Sequence, residues 1–315
     1  MCESPVLLIF FNRPDFLKKT FEQVRKARPK KLYLAQDGPR DNNDMKKILE
    51  CREVVNNIDW ECKVFKKFSE KNLGCGEGPH SAINWVFEKE ERAIILEDDC
   101  VASESFFPFC DELLERYKDD ERIFLITGCN FRLEEEKKES SYFFGFSGTN
   151  WGWATWKRNW KEMDYSCSWI SDEHESILVK NFLYNSCPIK ANKEIKLFND
   201  TFKRVKHNER LSYWDVQWQS IKYLSNQLCI IPCVNLITNI GIGEESTHAK
   251  TTIIPQKLHS RKGKFNFTYN KKYELIFPLR HPKHIVRKVE YDEKVDKKLY
   301  PSLLIKLLKK LRIFR

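Results

Sequence analysis

The sequence predicts an α/β protein with a mainly parallel sheet and helices on both faces. Short apolar segments alternate with amphipathic segments over the first 128 residues. The apolar segments are continuous runs, such as VLLIFF and AIIL, rather than alternations of apolar and polar residues. Strands of a parallel sheet are buried on both faces and have this composition. A repeated order of strand and helix is the order that such a sheet requires.

The predicted elements follow one another from the N-terminus. Pro14 stands in the first turn of a helix, where proline is common, and four apolar residues of this helix share one face: Phe16, Leu17, Phe21 and Val24. A polar helix ends near Ile58, and two further helices are predicted after NLGCGEGP and in SFFPFCDELLERYK. The strands are predicted at 6–11, 31–36, 62–67, 93–96 and 123–128.

The second part of the chain has a different character. The segment from Tyr142 to Trp160 contains four tryptophans and three glycines. Helical segments follow, and then LSYWDVQWQSIKYL and two strand-like runs, LCIIPCV and NLITNIG. We divide the chain into residues 1–130 and 131–250, as two halves of one domain, and a basic tail at 251–315.

The net charge of +10 comes from the C-terminal part of the chain. Residues 250–315 contain 19 Lys and Arg against 5 Asp and Glu, a net charge of +14, so residues 1–249 carry −4. Nucleic acid is not an expected partner, because no recognised binding motif accompanies the basic residues. Attraction of the tail to an anionic membrane surface is the better interpretation.

The last residues, PSLLIKLLKKLRIFR, predict a basic amphipathic helix. Four leucines share one face of it: Leu304, Leu307, Leu308 and Leu311. Such a helix lies in a membrane interface rather than spanning the bilayer. The alternative is a terminal helix that packs on its own domain.

The cysteines and the N-terminus favour a cytoplasmic protein. Eleven cysteines are scattered singly, which is typical of free thiols in a reducing compartment. The N-terminus lacks the basic segment and cleavage site of a secretory signal. No apolar run approaches the roughly 18 residues that a spanning helix needs. We therefore expect a cytoplasmic chain that is peripheral on the inner face of the membrane.

Polar clusters follow three of the predicted strands. They are Asn12–Arg13, Asp37 and the acidic triplet Glu97, Asp98 and Asp99. Ligands of open α/β sheets bind at the carboxyl ends of the strands, so neighbouring strands would bring these groups to one crevice. Three adjacent carboxylates repel one another unless a cation lies among them, and they suit a partly hydrated divalent cation. The alternative is a solvated turn.

The glycine-rich and tryptophan-rich segments each allow two interpretations. NLGCGEGPHSA matches neither of the common phosphate-binding loops. Its three glycines either let a backbone approach a ligand closely or form a flexible turn: Gly74, Gly76 and Gly78. The tryptophans of NWGWATW are either core residues or a flat wall against a sugar ring.

Asp215 lies between large aromatic residues in YWDVQW. Loss of solvation there would raise the pKa of its carboxyl toward the range of a general base. Asp215 also opens a helical pattern, so a helix N-cap is the alternative.

Six segments together resemble the GT-A fold nucleotide-sugar glycosyltransferases, within them the N-acetylglucosaminyltransferase I type and bacterial family-two-like enzymes. In order they are FNRP, LYLAQDG, LEDDCVASESFFPF, NWGWATW, YWDVQW and NIGIGEESTH. The resemblance implies a Rossmann-like GT-A sheet, with donor binding in residues 1–130 and acceptor binding and catalysis in residues 131–250. WDVQW differs from the paired acids of that family.

The resemblance implies that five residues bind the donor. Arg13 would lie near the diphosphate, and Asp37 and His80 beside the nucleotide base. Glu97 and Asp98 would face the donor sugar and the ribose.

The resemblance also implies a metal site, a base and an acceptor site. Asp99 would bind Mn²⁺ or Mg²⁺, with His248 as a second candidate ligand, and Asp215 would be the catalytic base. Three tryptophans would form the acceptor or sugar wall: Trp151, Trp153 and Trp214.

The expected activity is the metal-dependent, inverting transfer of a sugar from a nucleotide-diphosphate donor to a hydroxyl of a glycan or lipid-linked acceptor. N-acetylglucosamine or another hexose is the expected sugar, and bacterial surface polysaccharide synthesis the expected process. The cation would stabilise the anionic leaving group, and one base would deprotonate the acceptor. Two alternatives stay open. A sugar nucleotidyltransferase usually has a glycine-rich turn after the first strand, which FFNRPDF lacks. The other is a catalytically silent scaffold at a membrane.

Overall fold

Strands and helices alternate through the first 127 residues, as the sequence predicts, apart from one short strand that the sequence does not predict, Cys100–Ala102. The computed structural model describes residues 1–131, 139–241 and 271–300. The five predicted strands agree with the structure to within one residue at each end. The elements up to residue 127 are β1 (Val6–Phe10), α1 (Pro14–Ala27), β2 (Lys31–Gln36), α2 (Asn42–Asn56), β3 (Lys63–Phe68), α3 (Gly74–Phe87), β4 (Arg92–Glu97), β5 (Cys100–Ala102), α4 (Phe106–Arg116) and β6 (Ile123–Thr127).

The second part of the chain adds four strands and several helices. They are β7 (Tyr142–Gly145), β8 (Trp153–Trp156), α5 (Lys157–Trp160), α6 (Glu173–Ser186), α7 (Pro188–Lys206), α8 (Asp215–Leu224), β9 (Leu228–Pro232), β10 (Ile237–Asn239) and α9 (Val289–Leu299). β7 and β8 form within the aromatic segment, where the sequence predicts no strand. β8 inserts between β4 and β6 and runs antiparallel to both.

Eight strands form one sheet in the order β3-β2-β1-β4-β8-β6-β9-β7. β3, β2, β1 and β4 are parallel neighbours, and so are β6 and β9. β8 and β7 run antiparallel to the strands beside them. Six strands therefore share one direction, and the predicted α/β class with a mainly parallel sheet is confirmed.

β1 shows why helices cover both faces of the sheet. All five of its residues are buried. Val6, Leu8 and Phe10 pack in a core cluster with residues of α1 and α4, whereas Leu7 and Ile9 pack in a second cluster with residues of α3 and α8. Successive side chains of a strand point to opposite faces, so a continuous apolar strand needs cover on both.

The order of strands reverses between β1 and β4. From β1 the chain adds β2 and β3 on one side, and it then returns to place β4 on the other side. Ile9 of β1 pairs with Glu97 of β4, so the segments that follow these strands start next to each other. This switch point is where open α/β sheets bind ligands.

Residues 271–300 pack against the domain, although the sequence predicts a separate tail from residue 251. The buried carboxylate of Asp292 on α9 accepts hydrogen bonds from the backbone amides of Phe146 and Ser147, at 2.9 to 3.0 Å. The predicted C-terminal helix at 301–315 lies outside the described residues. None of the described helices is long and apolar enough to cross a membrane.

Candidate active site

A cavity of about 800 Å³ opens at the switch point of the sheet. The ends of β1, β2 and β4 form its floor. Its walls are the start of α3, the segment 146–151 between β7 and β8, and the helices α7, α8 and α9. A cavity of this volume is typical of a small-molecule site.

Arg13 lies among the carboxylates that follow β4. Its guanidinium donates to both oxygens of Asp98, and its Nη2 lies 3.1 Å from Oδ2 of Asp99. The side chain of Asp98 is only 3% exposed, so this carboxylate depends on its partner. A cation of the protein itself therefore offsets part of the repulsion within the acidic triplet.

The acidic triplet still carries more negative charge than Arg13 balances. Burial, together with Asp99 and Asp98, raises the pKa of Glu97 to about 8. Burial also raises the pKa of Asp98 to about 6, although the charge of Arg13 opposes the shift. The site is therefore suited to bind further positive charge.

The end of β10 holds Asp99 in place. β10 pairs with β5, which begins directly after Asp99, and the amide of Ile240 donates to the main-chain oxygen of Asp99 at 2.9 Å. A Cβ on Gly241 would collide with the carboxylate of Asp99, so a larger residue there would displace this side chain. His248 lies outside the described residues.

The residues at this site fit a divalent cation bound by one carboxylate, with substrate oxygens as its remaining ligands. Asp98 is engaged by Arg13, whereas 14% of the Asp99 side chain is exposed. Mg²⁺ is commonly bound through one or two carboxylates together with substrate phosphates. No cluster of three or more His, Cys, Asp or Glu that could enclose a metal occurs within 1–131, 139–241 and 271–300. Substrate oxygens would therefore be needed beside Asp99.

Asp37 connects β2 to the start of α3. Its carboxylate accepts hydrogen bonds from the amides of Gly38, Leu73 and Gly74 and from the side-chain nitrogen of Asn72, at 2.7 to 3.0 Å. These four donors use the acceptor positions of an ionised carboxyl. Contact between Asp37 and a nucleotide base stays a prediction, and it would require one of these bonds to open.

The glycines of NLGCGEGP allow close packing within the protein. α3 already begins at Gly74, so most of this segment is helix rather than a flexible turn. Gly74 has a φ of +74°, and a Cβ on Gly76 would lie 2.5 Å from the carbonyl oxygen of Leu211. α3 therefore packs closely against the segment that leads into Asp215.

The structure does not bring His80 to the cavity. Its ring lies 4.5 Å from the ring of Tyr165 and 5.9 Å from that of Trp160, between centroids. Its Nε2 lies 3.3 Å from the side-chain nitrogen of Asn84. Burial lowers the pKa of the imidazole. The ring packs on its aromatic neighbours along α3, and its position beside a nucleotide base stays a prediction.

Two of the three tryptophans predicted as a sugar wall line the cavity, namely Trp151 and Trp214. The third, Trp153, is 1% exposed and lies within 6 Å of the rings of Trp214 and Trp218, between centroids. Its prediction as a wall residue is wrong. Trp153 is the first residue of β8, and its side chain lies under α8 in the core.

Asp215 lines the cavity as the first residue of α8. Trp214 holds the cap position without a side-chain capping bond. The carboxyl of Asp215 accepts hydrogen bonds from the first amides of α8, those of Asp215 and Val216, so both interpretations of Asp215 stay open. Burial raises the pKa of Asp215 to about 6, although the amides of Asp215 and Val216 oppose the shift. The charge of Asp215 also contributes to the raised pKa of Glu97, so the two carboxyls are close enough to interact.

Sequence reasoning missed further polar residues of the cavity. Gln219, Lys222 and Tyr223 follow Asp215 along one face of α8 and line the cavity. Their spacing, which places them on one helical face with Asp215, was a signal that could have found them. Lys190 and Glu194 on α7 also line the cavity, but a Lys and a Glu four residues apart look like an ordinary surface pair.

Comparisons with known proteins leave the family of this chain open. No family model matches it, and no curated protein matches it by sequence. Among solved structures, residues 1–349 of S. aureus TarS are 12% identical, with a TM-score of 0.33 over 55% of this chain and 49% of that one. The galactosyltransferase LgtC, in complex with donor and acceptor sugar analogues, is 10% identical, with a TM-score of 0.34 over 53% and 64%.

A UDP-glucose pyrophosphorylase complexed with UDP-glucose is also similar, at 10% identity and a TM-score of 0.27 over 45% of this chain and 62% of that one. The match to this chain thus spans between about half and two-thirds of the length of these three proteins. Identities and TM-scores this low assign neither a family nor an activity.

Proposed function

We propose that this chain is a nucleotide-sugar glycosyltransferase that works by inversion in the cavity at the switch point. One observation carries the proposal. The acidic triplet with Arg13 follows β1 and β4, and Asp215, with its pKa raised to about 6, lines the same cavity from α8. The first group suits an anionic leaving group and a cation, and the second suits the removal of a proton.

Each group has a separate role in the proposed reaction. Arg13 binds and orients the donor diphosphate, since its guanidinium borders the cavity and is 37% exposed. Mn²⁺ or Mg²⁺, held by Asp99, would supply charge stabilisation for the departing nucleoside diphosphate. Ionised Asp215 accepts the proton of the acceptor hydroxyl as the new bond forms. Trp151 and Trp214 exclude water beside the sugar.

The identities of donor and acceptor form a finer part of the proposal. We propose N-acetylglucosamine or another hexose as the donor sugar. We propose a glycan or lipid-linked acceptor of bacterial surface polysaccharide synthesis as the acceptor. Both proposals rest on the resemblance of the six sequence segments. The alternative of a sugar nucleotidyltransferase predicts turnover of a nucleoside triphosphate with a sugar 1-phosphate. The alternative of a silent scaffold predicts no turnover.

A donor screen tests the proposal. The melting temperature is measured with UDP-, GDP-, CMP- and TDP-sugars, each with manganese and with a chelator. We expect at least one donor to raise the melting temperature with manganese, because a ligand that binds the native state stabilises it. Asp99→Ala should remove the manganese-dependent part of this shift, whereas Asp119→Asn, an exposed acid after α4, should keep it.

Three results would contradict the proposal. They are the absence of a shift with every donor, an equal shift with manganese and with the chelator, and turnover of a nucleoside triphosphate with a sugar 1-phosphate. No shift with any donor would favour the silent scaffold. An equal shift with manganese and with the chelator would contradict the metal dependence. Turnover of a nucleoside triphosphate with a sugar 1-phosphate would show that the protein is a sugar nucleotidyltransferase.

A further inference from the structure

A second polar cluster lines the cavity where α7, α8 and α9 meet. It consists of Lys190, Glu194, Lys222 and Asp296. Nζ of Lys190 lies 3.2 Å from Oδ1 of Asp296. All four side chains belong to residues that are at most 8% exposed. Two ammonium groups and two carboxylates are therefore buried together, with a net charge near zero when all are ionised.

Two buried oxygen atoms at this end of the cavity have no hydrogen-bond partner among the described residues. They are Oε2 of Glu194 and Oγ of Ser147, and both residues line the cavity. Glu194 is 5% exposed and Ser147 9% exposed. A buried polar atom without a partner costs free energy, and native proteins rarely leave one unpaired. Both atoms therefore indicate a ligand that completes their hydrogen bonds.

The cluster offers both donors and acceptors to such a ligand. Ionised Glu194 can only accept, and the hydroxyl of Ser147 can donate and accept. Lys222 gives two of its three N–H groups to the carbonyl oxygen of Phe146 and to Oε1 of Gln219, both at 2.6 Å. Its third N–H remains as a donor. A hydroxyl group matches this set, because it donates to the carboxylate and accepts from the ammonium group.

Phosphate and carboxylate ligands fit the cluster less well. A carboxylate or a doubly ionised phosphate brings only acceptors, so it cannot satisfy Oε2 of Glu194. Tyr223 and Tyr300 line the same end of the cavity and offer aromatic surface for the C–H faces of a sugar ring.

The helix α8 sets the distance between this cluster and Asp215. Asp215, Gln219 and Lys222 lie on one face of the helix. Lys222 comes seven residues after Asp215, which corresponds to about 11 Å along the axis. This separation of the two backbone positions favours a ligand longer than a single pyranose ring.

We propose that Glu194, Ser147 and Lys222 form a subsite for the hydroxyl groups of a neutral acceptor glycan of two or more sugar units. The identity of this glycan as the acceptor rests on the proposed function. The subsite holds a sugar unit remote from the reacting hydroxyl and so aligns that hydroxyl with Asp215. It thereby selects for acceptor length and against charge.

An array of immobilised glycans, probed without any donor, tests the subsite. The array carries neutral oligosaccharides, their phosphorylated counterparts and neutral monosaccharides, and dissociation constants are then measured for the glycans that bind. Wild type should bind at least one neutral oligosaccharide in preference to its phosphorylated form and to its terminal monosaccharide. Glu194→Gln should weaken this binding about tenfold or more, since a hydrogen bond to a charged group is lost.

Two further variants separate binding from folding. Ser147→Ala should weaken binding about threefold to tenfold without lowering the melting temperature, because the hydroxyl has no partner to lose among the described residues. Asp200→Asn changes an exposed acid on the same helix α7 and should bind as wild type does. Asp215→Asn should also bind the glycan, because no proton is transferred in this assay.

The outcomes distinguish this subsite from the proposed function. The subsite is overturned if no neutral oligosaccharide binds or if monosaccharides bind equally well. It is also overturned if both Glu194→Gln and Ser147→Ala bind as wild type does, which would mean that the two unpaired oxygen atoms bind water. Glycan binding that depends on Glu194, together with no affinity for any sugar nucleotide, would retain the subsite and contradict the glycosyltransferase.

Discussion

Asp215 is a single residue whose burial in the cavity lowers the stability of the folded chain. Burial raises the pKa of its carboxyl to about 6 in the folded chain, above the usual value of about 3.9. The folded state therefore binds the proton more tightly than the unfolded state does. The ionised carboxylate destabilises the fold above pH of about 6, and this penalty disappears as pH falls below about 4. A carboxyl kept in such a position within a cavity is a candidate for function.

Asp215→Asn should therefore be more stable and less active than wild type. At pH 7.5 we expect the free energy of unfolding to rise on the order of 1–3 kcal/mol, because the neutral amide avoids the desolvation penalty. Transfer should fall by roughly two to four orders of magnitude, because the amide cannot take the proton. Chemical denaturation and initial rates measure the two effects.

A matched control and the pH dependence sharpen this test. Glu173 is also the first residue of its helix, α6, but it is exposed, so Glu173→Gln should change neither quantity. In wild type, kcat/KM should fall as pH drops through about 6, because the base becomes protonated. Wild-type turnover by Asp215→Asn would leave the enzyme without an identified base.

Glycines of α3 determine, at the scale of an element, how the two halves of the cavity meet. Gly76 lies under the carbonyl oxygen of Leu211 and the hydroxyl of Tyr165, and a Cβ there would be 2.5 and 2.8 Å from these atoms. The guanidinium of Arg210 donates to the carbonyl oxygens of Leu73 and Asn72, at 2.9 and 2.6 Å. The start of α3 is thus fixed to the segment that carries Trp214 and Asp215.

Gly76→Ala and Gly78→Ala should have opposite effects on stability. The added methyl group at Gly76 collides with backbone, and we expect a loss of about 1–3 kcal/mol in the free energy of unfolding. At Gly78 the nearest atom to the new Cβ is the Asp37 carboxylate at 3.6 Å, an ordinary contact. Alanine in a helix is favoured over glycine by up to about 1 kcal/mol, so Gly78→Ala should be neutral or stabilising.

Denaturant unfolding of both variants measures the difference. Equal stability of Gly76→Ala and Gly78→Ala would show that α3 does not pack against Leu211 as described.

At the scale of the whole molecule, the sheet continues from the first half of the chain into the second. β8 pairs with β4 and β6, and β9 joins β6 to β7. Asp296 of α9 and Tyr300, which follows this helix, then close one side of the cavity. The residues from 271 to 300 therefore pack on the domain, and the rest of the predicted tail, 251–270 and 301–315, lies outside the described residues.

Removal of residues 301–315 should release the protein from anionic liposomes. A helix over this sequence would combine a leucine face with a cluster of lysines and arginines, and such helices bind anionic interfaces. Cosedimentation with phosphatidylserine-containing vesicles measures the loss, with phosphatidylcholine vesicles for comparison. Wild-type binding should weaken as salt is added, because the attraction is partly electrostatic.

A full-length variant controls for the charge of the tail. Leu307→Gln with Leu308→Gln keeps every Lys and Arg but weakens the apolar face, and it should bind less than wild type and more than the truncated chain. If the truncation instead lowers the melting temperature and leaves liposome binding unchanged, the alternative of a helix docked on its own domain is correct.

The sequence by itself determined the class of the fold and the places where chemistry is concentrated. Continuous apolar runs located β1, β2, β4 and β6, because a strand buried on both faces has no polar side to display. The acidic triplet, Arg13 and Asp215 were likewise found from local patterns. Charges beside apolar runs are conspicuous because burying them is costly, and these residues do line one cavity.

Tertiary structure alone decided which side chains are free to act. Nothing in the sequence separated Asp37, His80 and Trp153 from the other candidate residues. In the structure, Asp37 accepts hydrogen bonds at the start of α3, His80 packs on Tyr165, and Trp153 is buried under α8. Each of these contacts joins segments that are far apart in the chain. Glu194 looked like one half of a surface ion pair, and the packing of α7 against α8 and α9 buries it instead. Burial and hydrogen-bond partners are set by contacts between distant segments, and local sequence patterns contain no record of those contacts.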